Sequence, residues 1–123
     1  MKKLITISTI IIISLTLLFT GCFDKPFCPN PDASKITANR GTIGTEGMVI
    51  SGAVGAVEPG ATVKVTDKDG YTATTTADEN GSFTLTEADL PEDFDHTLGN
   101  TIEVTQESED CRESSEAEVT IVP

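Results

Sequence analysis

An antiparallel β-sandwich of about seven strands is the fold class this sequence predicts. Three observations predict it. Apolar and polar residues alternate with period two in several short segments, Asp/Gly and Pro/Gly turns separate them, and no long stretch carries helical periodicity. The chain has 123 residues, enough for one domain once targeting sequence is set aside.

Four segments alternate cleanly: Thr62-Val63-Lys64-Val65-Thr66, Ser82-Phe83-Thr84-Leu85-Thr86, Thr101-Ile102-Glu103-Val104-Thr105 and Ala117-Glu118-Val119-Thr120-Ile121. Each puts apolar residues on one face and Thr or charge on the other, as half-buried strands do. Weaker strand patterns over 34–38, 47–52 and 71–76 bring the number to seven. Asp67-Lys68-Asp69-Gly70 and Asp78-Glu79-Asn80-Gly81 both read as hairpin turns, with Asp opening a type I turn and Gly taking the left-handed position. Val57-Glu58-Pro59-Gly60 reads as a type II turn.

The amino terminus has another character. Lys2 and Lys3 precede an apolar run from Leu4 to Phe19, shorter than the roughly 20 residues a bilayer-spanning helix needs. That is the layout of a secretory signal peptide. Leu18-Phe19-Thr20-Gly21-Cys22 resembles the lipobox of bacterial lipoproteins, with Phe19 where Leu is usual. The resemblance implies cleavage after Gly21 and a diacylglycerol and acyl lipid on Cys22, hence a membrane anchor in the cell envelope: the outer membrane if the host has two membranes, otherwise the outer face of the cell membrane. The alternative is ordinary secretion with cleavage near Gly21. The expected organisation is a signal peptide at 1–21, a short tether at 22–32 and a sandwich at 33–123.

Without its first 21 residues the chain keeps 6 basic against 20 acidic residues, a net charge of −14. Such a surface repels nucleic acid and anionic headgroups. With Cys22 lipidated, Cys28 and Cys111 remain to pair in an oxidising compartment. Alternating strand directions bring the start of the first strand and the loop after the sixth to one end, which places these two cysteines together. The bridge closes a loop of about 80 residues, worth on the order of 4 kcal/mol in the chain-entropy model.

The run Ser51 to Thr86, "SGAVGAVEPGATVKVTDKDGYTATTTADENGSFTLT", resembles the bacterial immunoglobulin-like domains of exported surface proteins. The likeness extends loosely from Ile36 to Val122. It implies an immunoglobulin-like sandwich in a non-catalytic adhesion or protein-interaction role, with a prealbumin-like sandwich as the competing strand order. The antibody pattern of a core Trp with a B–F cysteine pair is missing.

The residues themselves show no nucleophile in a strand–turn–helix setting, and His96 is the sole histidine. We therefore expect no enzyme. Asp67, Asp69, Asp78 and Asn80 offer hard oxygen ligands and stand as candidate calcium ligands, although Asp before Gly is also what a turn uses without an ion. No other cofactor is expected. The long segment 87–100 carries Asp89, Phe94, Asp95 and His96, either as an exposed partner-binding loop with Phe94 as an anchor for a partner to bury, or with Leu90 and Phe94 folded back over the core. Exposed aromatics for sugar binding are few, Tyr71 and Phe94 being the candidates. The expected partner is an envelope or extracellular protein; a calcium-dependent binding module and an inhibitor or accessory subunit of an envelope protein are the alternatives.

Overall fold

The computed structural model describes residues 25–41 and 47–123. The signal-peptide segment, Cys22 and the start of the tether lie outside the described residues. Seven strands form: β1 (Ile36–Asn39), β2 (Val49–Gly52), β3 (Thr62–Thr66), β4 (Thr72–Thr76), β5 (Phe83–Leu85), β6 (Thr101–Glu107) and β7 (Ala117–Val122). Two single 3-10 turns, Ala33–Lys35 and Glu87–Asp89, are the helical elements among the described residues. The first of them replaces the opening of the strand expected at 34–38. There the Asp32 side chain accepts from the Ser34 N–H and hydroxyl, tightening the chain into a turn before Ile36.

The strands run in the order β4-β3-β6-β7-β1-β2-β5. One group, β4-β3-β6-β7, is antiparallel throughout, and so is the other, β1-β2-β5. The joint between them is parallel: Ala38 and Asn39 of β1 pair with Ile121 and Val122 of β7. The expectation of a wholly antiparallel sandwich is corrected at this one pair. Strand directions still alternate along the chain. The start of β1 and the β2–β3, β4–β5 and β6–β7 connections therefore share one end, and the β1–β2, β3–β4 and β5–β6 connections share the other.

The inward positions of both groups meet in a single apolar cluster. Ile50 and Leu85 come from one side and Val63, Val65, Ile102 and Val104 from the other, each at most 1% exposed. Strands β1 and β7 show strict alternation of buried and exposed residues, which is the period-two pattern made physical. In β6 the alternation fails at Thr105, which is buried although it stands between the inward Val104 and Gln106.

The turns behave locally as their residues dictate. Gly70 sits at φ 92° and its N–H donates to the Asp67 carbonyl, while the Asp67 N–H donates to Tyr71, closing the β3–β4 hairpin. At 78–81 the turn forms too, with Gly81 at φ 76°. Yet β4 and β5 do not pair: the turn carries the chain across from one strand group to the other. The expected second hairpin is thus a crossing between sheets. The Pro59-Gly60 turn is shifted by one residue, running from the Glu58 carbonyl to the Ala61 N–H, with Gly60 at φ 72°.

Candidate functional site

The disulfide-bearing end is built from the segment expected to be a tether. Its described part, from Lys25 onward, is not loose. The Cys28 N–H donates to the Arg112 carbonyl at 2.8 Å and the Arg112 N–H donates to Pro26 at 2.8 Å, a parallel bridge between Phe27 and Arg112. The Arg112 Nε donates to the Lys25 carbonyl, and its guanidinium stacks 4.2 Å from the centre of the Phe27 ring. Cys28, 3% exposed, is joined to Cys111 across 83 residues of sequence, with their Cα atoms 4.9 Å apart. That spacing lies within the range a disulfide requires. The two cysteines meet at the end where alternating strand directions put them.

Gln106 locks the same region. It is 2% exposed; its Oε1 accepts from the Glu58 N–H at 2.7 Å and its Nε2 donates to the Pro29 carbonyl at 2.6 Å. One buried amide thereby ties the amino-terminal segment to the β2–β3 connection, with both of its polar atoms used. Our sequence reading overlooked Gln106. The signal was present, since it follows Ile102 and Val104 at the next inward position of β6.

At the opposite end, Asp67 is the organising residue. It is 4% exposed, and its Oδ1 accepts from the Asp69 and Tyr71 N–H groups, both at 2.9 Å. Its Oδ2 accepts from the Asp95 N–H at 2.8 Å, so one carboxylate fastens the β5–β6 loop to the β3–β4 turn. Asp78 does similar work at the disulfide-bearing end, accepting from the Asn80 and Ser82 N–H groups and the Ser82 hydroxyl. The Ser82 hydroxyl, with the two N–H groups, holds the Asp78 carboxyl below its ordinary value.

The four candidate calcium ligands are therefore divided. Asp67 and Asp69 close the turn after β3, and Asp78 and Asn80 close the one after β4, at the other end of the domain. They do not form one site. Asp67 and Asp78 already serve as turn acceptors, and Asp69 lies beside Lys68 at 3.3 Å. Among the described residues, no group of three or more His, Cys, Asp and Glu is placed to hold a metal ion.

The loop residues also separate. Phe94 is 2% exposed and belongs to the core cluster with Leu90, so the partner-anchor reading of Phe94 is corrected: it caps the core. Asp89 accepts from the Thr86 N–H and hydroxyl, capping the 3-10 turn. Asp95 accepts from the Thr97 N–H and from the Asn100 amide at 2.7 Å. Partial burial pushes the Asp95 carboxyl up, but the Asn100 and Thr97 bonds outweigh it and leave it below its ordinary value. His96 Nε2 lies 2.7 Å from Glu87 Oε2, the oxygen that also accepts from the Met48 N–H. These groups organise the loop itself. Among the described residues, Leu98, Tyr71, Val122 and Val49 are exposed apolar side chains at this end, at 44%, 42%, 42% and 37%.

The described residues thus give a domain closed by a disulfide at one end, with the β1–β2, β3–β4 and β5–β6 connections at the other. Comparison with known families decides what kind of body it is, because the profile of the bacterial Ig domain matches residues 36–122. The chain belongs to the bacterial Ig domain family. No curated protein matches it. Membership fits a non-catalytic interaction or adhesion module, and the Ig domain seen here has its structural disulfide outside the matched span at one partner, Cys28.

Proposed function

We propose that this chain is a cell-envelope lipoprotein, held to a membrane by lipid on Cys22, whose Ig domain acts as a non-catalytic protein-interaction module. The observation that supports it most directly is the pinning of Lys25, Phe27 and Cys28 against Arg112 and Cys111. A lipid on Cys22 sits six residues before Cys28, within about 20 Å even when that stretch is extended. The disulfide end then faces the membrane, and the β1–β2, β3–β4 and β5–β6 connections face outward. The net charge of −14 left after cleavage keeps the domain clear of anionic headgroups and favours a partner carrying basic groups.

Cross-linking on intact cells tests this reading. A lysine-reactive or photoactivated reagent on the outward end should join the chain to a discrete partner protein. A cell surface on which the chain is never cross-linked to another protein would count against the interaction role.

A further inference from the structure

Strand β4 is an edge of the sheet, pairing with β3 and with no other strand among the described residues. Which of its backbone groups face outward follows from the ladder. The Ala77 N–H donates to the Ala61 carbonyl and the Asp67 N–H donates to Tyr71. In an antiparallel ladder bonded pairs alternate with unbonded ones. Ala73 and Thr75 therefore bond to β3, and the N–H and C=O groups of Thr72, Thr74 and Thr76 point to the open side.

Protein edges are usually blunted by brevity, Lys, Pro or a bulge. The other edge, β5, is blunted by brevity, with only three residues. Strand β4 has five residues, an unbroken register from Thr72↔Thr66 to Thr76↔Thr62, and no charge or proline from 71 to 77. It is also all β-favouring apart from Ala, and Tyr71, 42% exposed, stands at its start.

The flanks select the occupant. In the turn before β4, Lys68 and Asp69 neutralise each other at 3.3 Å and the Asp67 carboxylate is buried, whereas Asp78 and Glu79 in the turn after it are exposed. A second copy would bring together two strongly acidic molecules. A strand that carries a basic residue where it passes Asp78 and Glu79 meets attraction there.

We infer that the open edge of β4 receives an extended segment of a partner protein that carries Lys or Arg where it passes Asp78 and Glu79, adding a strand through Thr72, Thr74 and Thr76. This rests on the interaction reading above and names the surface through which it operates.

The test is amide hydrogen exchange on the full exported chain with a blocked peptide of alternating Thr and Val bearing Lys at both ends. The inference requires the peptide to slow exchange at Thr72, Thr74 and Thr76 by about tenfold or more, and a Glu-ended peptide to do nothing. Thr74→Pro removes an outward N–H without touching the β3 bonds, and Thr74→Lys places a repelling charge there; each should abolish protection at an unchanged melting temperature. Should one variant fail to fold, the other carries the comparison. No protection, equal protection by the Glu-ended peptide, or protection that rises with protein concentration alone would overturn the inference, the last by making a second copy the occupant. Cell-surface cross-linking separates the two levels. A partner captured equally by wild type and Thr74→Pro leaves the interaction reading standing and removes β4 from it, whereas no capture by wild type removes the interaction reading itself.

Discussion

Three backbone N–H groups, from Asp69, Tyr71 and Asp95, end on the carboxylate of Asp67. Removing that carboxylate leaves them without their partner in a part-buried setting, each costing about 1 kcal/mol or more. Asp67→Ala should therefore destabilise the domain by about 3 kcal/mol in urea unfolding, whereas Ala at the exposed Glu79 should change it by less than about 0.5 kcal/mol. Phe94→Ala empties a site inside the core cluster, for which a loss of about 3–5 kcal/mol is typical; a lowered melting temperature with partner capture intact is the expected result. Titration is a residue-scale matter too. Burial raises the Glu87 carboxyl, but the bonds from His96 and Met48 outweigh it and hold it below its ordinary value. Glu87 thus joins Asp78 and Asp95 among carboxyls depressed in the folded state. A depressed carboxyl contributes stability that is complete above its unfolded value and is lost as pH falls through the folded one. With ordinary values of 3.8 for Asp and 4.5 for Glu, the contribution should hold above about pH 5 and fade below about pH 4. Melting curves across that range check it, and a melting temperature that keeps rising below pH 4 would contradict it.

Elements differ in how far the sequence discloses them. The four alternating segments all became strands because each places its apolar side chains on one face, and burial of that face decides the outcome. Turn residues disclosed the reversals, since left-handed backbone at Gly70 and Gly81 is a local demand. Pairing was less legible. The Asp78 turn reverses the chain just as the Asp67 turn does, yet only one joins partners, because the destination of a strand is set by which group can bury its face. The parallel contact of β1 with β7 likewise has no local signature. Phe94 was ambiguous for a related reason: an aromatic among carboxylates suits exposure or burial equally until the loop's path is known. The Asp67–Asp95 link, between residues 28 apart in sequence, left no pattern to read. Gly81 is the sharpest element-scale test. It combines φ 76° with a backbone that passes so close to the Val57 carbonyl that a Cβ would collide with it. Gly81→Ala should cost about 2 kcal/mol or more, while Ala at Gly60, where a Cβ meets nothing within 4 Å, should cost about 1 kcal/mol from the positive φ alone.

At the scale of the whole molecule, the cross-link and the charge set the design. The Cys28–Cys111 bridge closes 83 residues of separation and spans nearly the entire domain, so it restricts the unfolded chain by on the order of 4 kcal/mol in the chain-entropy model. Reduction should lower the urea midpoint accordingly without altering the strand content of the folded form. The bridge also fixes where the amino terminus leaves the body, at the end opposite the β1–β2, β3–β4 and β5–β6 connections. A chain attached there stands with those connections outward and its acidic surface in solvent. The proposed attachment is a lipid on Cys22, and metabolic labelling with a palmitate analogue measures it directly. Label on the wild-type chain that disappears in Cys22→Ser, together with release of the variant from the membrane fraction, is the predicted result; equal label on both chains would contradict the account.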